Sequence, residues 1–137
     1  MAIMVDIGDE APDFTVPLAN GDVETFTLSE HLDETPIVLA FFPAAFTDTC
    51  TSEMRSFRDR IGEFEAVGAT VYGISVDLPY TLNEFRRQND LPFGLLSDER
   101  RELIDAYGVV SSFQPTEIRV ARRAVFVVNG DGTVTYR

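Results

Sequence analysis

The sequence predicts an α/β fold, in which a mixed central sheet is flanked by helices and preceded by an N-terminal β-hairpin. Three continuous apolar runs, typical of buried strands, begin at Ile37, Thr70 and Ala124. Segments with helical periodicity lie between these runs, and such alternation is typical of parallel strands with helices on the sheet faces. A length of 137 residues allows one domain, over residues 1–137, with a single core.

Two short strands around a turn predict the N-terminal hairpin. They are Phe14–Val16 and Val23–Phe26, and the residues between them include the turn sequence Asn20-Gly21-Asp22. We expect Ser29 to cap a brief helical turn after the hairpin. The single histidine, His31, lies in this polar stretch and is expected to be solvated.

The first apolar run leads to the only cysteine of the chain. Ile37–Phe42 predicts a strand buried on both faces, and Pro43 ends it. The hydroxyl side chains of Thr47–Ser52 suit the free amides of a helix N-terminus. We therefore expect Cys50 in or beside the first turn of a helix that follows a buried strand.

The helix that contains Cys50 is predicted by its apolar period. Its apolar side chains recur at three- and four-residue steps and are Met54, Phe57, Ile61 and Phe64. We expect this helix to end near Gly68. Because Cys50 lies four residues before Met54, its thiol should face the protein interior.

The remaining elements follow from the same patterns. Ser97 or Asp98 is expected to cap a helix that Gly108 ends. The other predicted elements are a strand over Thr70–Val76, a helix over Tyr80–Asn89, a third buried strand over Ala124–Val128 and a final antiparallel strand over Thr133–Tyr136.

The charge balance argues against several partners. The net charge is −12, and all 11 basic residues are arginines. This charge repels nucleic acid and anionic membranes, so we expect neither as a partner. A lysine-free acidic surface resembles that of proteins from halophilic archaea, and an ordinary acidic protein with few lysines because of genomic base composition is the alternative.

Export, membrane insertion and metal binding are not predicted either. Residues 1–14 contain no basic cluster or apolar core of the kind that a signal peptide needs, and the longest apolar run, Ile37–Phe46, is far shorter than the roughly 20 residues that span a bilayer. We expect a cytoplasmic protein. A single cysteine excludes an intramolecular disulfide. Together with a single histidine, it also argues against a zinc site within the chain. No cofactor is expected.

Position alone leaves two interpretations of Cys50. A helix N-terminus and a nearby arginine stabilise the thiolate, which is the nucleophilic form of cysteine. A lone cysteine is also commonly a small buried apolar residue with no chemical role. Composition and spacing leave both interpretations open.

The spacing Pro43-xxx-Thr47-xx-Cys50 matches the active-site signature of the peroxiredoxins, the thiol peroxidases of the alkyl hydroperoxide reductase C and thiol-specific antioxidant family. The chain resembles this family over nearly its whole length, and in particular its single-cysteine branches, the alkyl hydroperoxide reductase E-like and bacterioferritin-comigratory-protein-like proteins. Further segments that match in order are Gly8–Phe14, Gly73–Asp77, Leu95–Asp98, Ala106–Val109 and Arg123–Val128.

The resemblance implies a thioredoxin-like fold and a thiol-dependent peroxidase. Cys50 would attack the peroxide and become a sulfenic acid. Thr47 would hydrogen-bond the peroxide, and Pro43 would close the pocket and shield the sulfur. The alternative roles of these two residues, a helix cap for Thr47 and a strand terminator for Pro43, are compatible with catalysis.

An arginine from the far end of the chain is implied as the cation of the site. Arg122 and Arg123 begin the third predicted strand, and strand alternation would let at most one of them reach Cys50. The resemblance selects Arg123, which would stabilise the thiolate and the charge that develops during O–O cleavage. Glu53 would orient the guanidinium of Arg123 through a bidentate ion pair. Alternatively, Glu53 would be a first-turn acid favoured by the helix dipole.

The single cysteine also bears on partners. The chain contains no resolving cysteine, so reduction would need an external thiol from a thioredoxin-like protein or a small molecule. Relatives usually continue into a terminal helix, which we expect to be missing after Arg137. By analogy we expect a homodimer or higher homo-oligomer, with contacts at Phe46 and Pro79–Tyr80.

Two other functional classes are alternatives to the peroxidase. A non-catalytic thioredoxin-like redox sensor or binding module would use the same sulfenic acid as a signal. A cysteine phosphatase is disfavoured, because the residues between Cys50 and Arg55 include no glycine and their number does not fit the phosphate-binding loop.

Overall fold

A central mixed sheet organises the protein in a computed structural model that describes residues 3–34 and 36–137. The strands of the described residues are β1 (Thr15–Ala19), β2 (Val23–Thr27), β3 (Ile37–Phe41), β4 (Thr70–Ser75), β5 (Leu95–Ser97), β6 (Val110–Ser112), β7 (Arg119–Ala121), β8 (Ala124–Val128) and β9 (Val134–Tyr136). Seven of them form one sheet in the order β2-β1-β5-β4-β3-β8-β9, and β6 pairs with β7 as a separate hairpin.

The central strand β3 is buried throughout because neighbours cover both its edges and both its faces. It pairs with β4 in parallel and with β8 in antiparallel orientation, so the sheet is mixed as predicted. The predicted N-terminal hairpin is the antiparallel pair of β1 and β2. Since β3 and β4 run in parallel, their carboxyl ends lie at the same edge of the sheet.

Helices cover both faces of this sheet. They are α1 (Asp48–Asp59), α2 (Ile61–Ala66), α3 (Pro79–Gln88) and α4 (Glu102–Tyr107). Alternation along β3 directs Ile37, Leu39 and Phe41 into the core cluster that includes α4. Val38 and Ala40 belong to the cluster that includes Cys50 of α1 and the buried face of α3. Among the described residues, no helix is long and apolar enough to cross a membrane.

Gly73 of β4 allows α1 to pack closely on the sheet. A Cβ atom at this position would lie 2.7 Å from Leu95 Cδ2 and 3.1 Å from Met54 Sδ. Both atoms belong to buried side chains, so they have little room to move. The absence of a side chain at Gly73 therefore fixes how closely the helix that contains Cys50 approaches the sheet.

We expect Gly73→Ala to lower the free energy of unfolding by about 1–3 kcal/mol, because the added methyl group overpacks this contact. Denaturant unfolding measures the change. The matched control is Gly62→Ala in α2, where a Cβ atom would meet nothing within 4 Å. That variant should be neutral or more stable by up to about 1 kcal/mol, since alanine is the better helix former. Equal destabilisation by both substitutions would contradict the packing account.

The predicted single helix from Cys50 to Gly68 is divided in two. α1 ends at Asp59 and α2 begins at Ile61, with Arg60 between them at φ −107° and ψ 11°. Gly62, a poor helix former, follows the break closely and weakens helix continuity there. The apolar period persists across the break, because the rings of Phe57 and Phe64 are 5.7 Å apart. The predicted end near Gly68 is confirmed, and Gly68 adopts a positive φ of 75°.

Capping differs from prediction in one place and agrees in part in another. Ser29 lies inside a 3-10 turn, Leu28–Glu30, and does not cap it; its amide instead donates to Asp13 Oδ1 at 2.9 Å. Arg101 is the N-cap residue of α4, and Asp98 satisfies the first-turn amides from three residues earlier, since its carboxylate accepts from the amides of Leu103 and Ile104 at 2.9 Å each.

The prediction that His31 is solvated is wrong. Its ring stacks on Phe26 with centroids 4.2 Å apart, and its Nδ1 lies 2.6 Å from Glu34 Oε2. The hydroxyl of Tyr72 donates to Glu34 Oε1 at 2.7 Å. Glu34 follows His31 by one short turn, so its carboxylate joins the histidine and the tyrosine into one half-buried network.

This network should make stability depend on acid pH. Partial burial opposes ionisation of Glu34, but the hydrogen bonds from His31 and Tyr72 outweigh it and hold the pKa of that carboxyl below its ordinary value of 4.5. A lowered folded-state pKa contributes stability that is present above pH 4.5 and is lost as pH falls through the folded pKa.

We therefore expect Glu34→Gln to destabilise the protein by about 1–2 kcal/mol at neutral pH, with a difference from wild type that shrinks in acid. Denaturant unfolding of both proteins, repeated at about every half pH unit between about pH 3 and pH 7, measures the difference in their free energies of unfolding. Glu30→Gln, at an exposed position in the preceding turn, is the control and should change stability little. A difference that stays constant with pH would contradict this account.

Candidate active site

The loop after β3 begins where two parallel strands end. Phe42 continues the line of β3, and its amide donates to the carbonyl of Ile74 at 2.9 Å. Pro43 has no amide proton to continue this pairing, and the chain turns away from the sheet. α1 then begins at Asp48 at this edge, as the sequence predicts.

Phe46 adopts an unusual backbone conformation within this loop. Its φ is 68°, in the left-handed region that a bulky side chain rarely occupies. Its ring packs edge-on against the buried ring of Phe85 with centroids 5.3 Å apart. This contact with α3 helps to hold the turn that leads to the helix.

Cys50 lies in the first turn of α1 and is fully buried. The Nη2 of Arg123 donates to its Sγ across 3.4 Å, although the two residues are 73 positions apart in the chain. Arg123 is itself 43% exposed in its side chain. The thiol is therefore shielded from solvent, whereas the cation next to it reaches the surface.

The third strand spans Ala124–Val128 as predicted, but Arg122 and Arg123 lie just before it and not within its alternation. β8 starts at Ala124, so both arginines belong to the link between β7 and β8, where strand alternation does not apply. The amide of Arg122 donates to the carbonyl of Val109 at 2.6 Å, which fixes the link against the chain after α4. Of the two guanidinium groups, that of Arg123 contacts Cys50, which is the outcome that the resemblance implied.

Glu53 lies one turn after Cys50 and faces Arg123. Its Oε2 is 3.8 Å from Arg123 Nε, which is an ion pair but too long for a hydrogen bond. The expected bidentate pair is therefore wrong, because Nη2 of the guanidinium is directed to the sulfur. Partial burial raises the pKa of the Glu53 carboxyl, and the charge of Arg123 only partly offsets this effect.

The hydroxyl of Thr47 does not cap α1, contrary to the expectation for this segment. Thr47 is the N-cap residue, but its Oγ1 donates to the carbonyl of Ala44 at 2.8 Å. The carbonyl of Thr47 accepts the first hydrogen bond of the helix, from the amide of Thr51. The hydroxyl proton of Thr47 is thus committed to the loop, and its oxygen lone pairs remain available as acceptors.

A cavity of about 480 Å³ brings three of the predicted residues together. Pro43, Thr47 and Arg123 line it, and Arg123 connects it to the buried thiol. Cys50 and Glu53 lie behind this lining. A larger cavity of about 610 Å³, between β1 and α4, contains no cysteine and lies apart from this site.

The other wall of the cavity was not predicted from the sequence. Residues 111–114, at the end of β6 and the turn after it, line the side opposite α1. The short strands β6 and β7 flank a turn that contains Gln114-Pro115, and this pattern of valines around a turn is the signal that indicates a hairpin. Within residues 3–34 and 36–137, no group of three or more His, Cys, Asp or Glu side chains is arranged to hold a metal ion.

Comparison with known proteins identifies the family. Residues 7–137 match the AhpC/TSA family. The chain is a member of this family, the peroxiredoxins. A Mycobacterium tuberculosis protein that bears a peroxiredoxin name is 40% identical to this peroxiredoxin over 129 residues, which are 93% of this chain and 80% of that protein.

Two further relatives agree with this assignment. A thiol peroxidase of Listeria monocytogenes is 33% identical over 132 residues, covering 95% of this chain and 74% of that enzyme. The crystal structure of peroxidoxin BcpB from Mycobacterium tuberculosis superimposes with a TM-score of 0.85 at 33% identity, covering 95% of this chain and 82% of that one.

These findings confirm the predicted family, the thioredoxin-like α/β fold and the enzyme class of this peroxiredoxin, a thiol peroxidase. The one cysteine fits the single-cysteine type. The halophilic archaeal source and the cytoplasmic location stay predictions.

Proposed function

We propose that this peroxiredoxin reduces hydrogen peroxide and organic hydroperoxides at Cys50, with electrons from an external thiol. The observation that carries the proposal is the position of Arg123, whose Nη2 lies 3.4 Å from Cys50 Sγ at the start of a helix. A guanidinium and a helix N-terminus both stabilise the negative charge that passes from the sulfur to the leaving oxygen when a thiolate attacks a peroxide. We also propose that residues 1–137 belong to a single peroxiredoxin domain.

The reaction begins with attack of the Cys50 thiolate on one peroxide oxygen. The S–O bond forms as the O–O bond breaks, so the sulfur loses two electrons and the peroxide gains them. The leaving oxygen takes a proton and departs as water or an alcohol, and Cys50 is left as a sulfenic acid. Arg123 stabilises the negative charge as it moves from sulfur to the leaving oxygen.

Thr47 holds the peroxide in this mechanism. Because its hydroxyl proton is donated to Ala44, its oxygen accepts the O–H of the incoming peroxide. Pro43 lines the same cavity and excludes water from the reacting atoms. Glu53 orients Arg123 by its charge at 3.8 Å.

An external thiol completes the cycle. It attacks the sulfenic acid to release water and form a mixed disulfide, and a second thiol then restores Cys50. A thioredoxin-like protein or a small thiol suits this role, because the chain has no second cysteine.

Self-association is also part of the proposal. Phe46 and Tyr80 are 48% and 74% exposed near the site, as a homodimer contact requires. Pro79 is buried within its own chain, so it does not contribute to the predicted contact. A homodimer or higher homo-oligomer through this surface stays a prediction.

Turnover tests the proposed function against the redox-sensor alternative. With dithiothreitol in excess, we expect many equivalents of hydrogen peroxide to be consumed per protein chain, because the thiol resets Cys50 after each reaction. Peroxide depletion measures the turnover, and buffer without protein is the control. High salt is included to screen the net charge of −12. Consumption that stops at one equivalent would contradict the enzyme and support the sensor.

A further inference from the structure

We infer that Asp77 is a positioning residue for the peroxide reaction, acting on Thr47 through the peptide bond between Ala44 and Ala45. This inference rests on the proposed peroxidase function. Asp77 follows β4 at the sheet edge where the loop after β3 also begins. A polar residue directly after a parallel strand is a typical functional position.

One peptide unit connects Asp77 to Thr47. The amide of Ala45 donates to Asp77 Oδ2 at 2.8 Å. The carbonyl of Ala44 accepts from Thr47 Oγ1, also at 2.8 Å. This carbonyl and this amide belong to the same planar group, so the orientation of one fixes that of the other. Asp77 therefore sets the direction of the hydrogen bond that the Thr47 hydroxyl donates.

Asp77 is well placed to act as an anchor because it is itself held by two strands. The hydroxyl of Ser75, in β4, donates to the same Oδ2 at 2.8 Å. The hydroxyl of Ser97, in β5, donates to the carbonyl of Asp77 at 2.6 Å. Both serines are fully buried. The loop at Ala45 is thus tied to the rigid end of the sheet.

The charge of Asp77 also affects the carbonyl of Ala44. A carboxylate that accepts an amide proton polarises the peptide and makes its carbonyl oxygen a stronger acceptor. The proton of the Thr47 hydroxyl is held more firmly on that carbonyl as a result. The lone pairs of Thr47 Oγ1 then stay directed away from the loop, toward a peroxide in the cavity that Thr47 lines.

A double-mutant cycle tests this inference, with the rate of Cys50 oxidation by hydrogen peroxide as the measurement. In the wild-type background we expect Asp77→Ala to slow the reaction by about tenfold, the effect of one lost orienting hydrogen bond. In the Thr47→Val background, which lacks the hydroxyl, we expect Asp77→Ala to change the rate by less than about twofold. An equal slowing in both backgrounds, or no slowing in wild type, would overturn the inference.

The conservative variant and a second reagent separate positioning from general loosening of the loop. Asp77→Asn keeps an oxygen that can accept from Ala45 and Ser75, and it should restore the rate to within about threefold of wild type. Alkylation of Cys50 by iodoacetamide, which has no peroxide oxygen for Thr47 to hold, should change by less than about twofold in Asp77→Ala. The inference would be overturned if Asp77→Asn slowed the reaction with peroxide as much as Asp77→Ala does. A large change in the alkylation rate of Asp77→Ala would also overturn it.

Two further controls complete this test. If Asp77→Ala does not fold, Asp77→Glu takes its place, because one added methylene moves the carboxylate from Ala45 but keeps its charge. If wild-type Cys50 reacts with peroxide no faster than a free thiol, the proposed function fails. A fast wild type without coupling between Asp77 and Thr47 removes the role of Asp77 alone.

Discussion

Replacing Cys50 by serine is expected to lower the second-order rate of peroxide reduction by more than about 1,000-fold, because the only nucleophile of the proposed mechanism is removed. Serine keeps the shape of the side chain in its buried position, so the fold should persist. Stopped-flow mixing with hydrogen peroxide and a thiol reductant measures the rate.

The matched control for Cys50→Ser is Ser52→Ala, on the exposed side of the same helix. This variant should react at the wild-type rate, since the substitution leaves the buried face of α1 unchanged. Near-ultraviolet circular dichroism confirms that both variants are folded. If Cys50→Ser kept more than roughly a tenth of the wild-type activity, Cys50 would not be the nucleophile.

Removing the guanidinium of Arg123 should have the second largest effect. We expect Arg123→Ala to slow the reaction with peroxide by about 100-fold, which is the typical effect of removing one hydrogen-bond donor that stabilises developing negative charge. The contact of Nη2 with Cys50 Sγ is the physical reason. Arg123→Lys should recover part of the rate, because it keeps the charge without the planar fork of donors.

Arg122→Ala is the matched control for Arg123→Ala. Arg122 is the adjacent cation in the same link, so its loss changes the net charge of the protein equally. Its backbone hydrogen bond to Val109 survives the substitution. Both arginines line the cavity, but only Arg123 contacts Cys50 Sγ, so we expect Arg122→Ala to slow the reaction far less than Arg123→Ala. Equal slowing by the two substitutions would contradict a specific role for Arg123.

Local patterns were sufficient to predict the sheet and the position of the cysteine. The continuous apolar run that begins at Ile37 requires burial on both faces, and Pro43 then prevents further pairing. The helical period that ends near Gly68 places Cys50 on the buried side of α1. These features depend on residues close in sequence, and they were predicted correctly for that reason.

Contacts between distant segments could not be predicted in the same way. The hydroxyl of Thr47 suits a helix cap, but it donates to the carbonyl of Ala44 and makes no cap hydrogen bond. The same peptide unit is held through the amide of Ala45 by Asp77, which is distant in sequence. Arg123 was selected by resemblance, whereas the strand alternation used to separate it from Arg122 does not apply in the link before β8. His31 lies in a polar stretch of sequence, and the distant Tyr72 joins its network only in the folded chain, through the carboxylate of Glu34.

The most direct test of the central claim is the detection of sulfenic acid at Cys50 after one equivalent of hydrogen peroxide, in high salt, with a dione trap and mass spectrometry. We predict one trapped adduct, on the peptide that contains Cys50, formed at least about 1,000-fold faster than on free cysteine, because Arg123 contacts the sulfur and stabilises the charge that develops on the leaving oxygen. An adduct that forms at the rate of free cysteine, or none at Cys50, would contradict the proposal that this chain reduces peroxides.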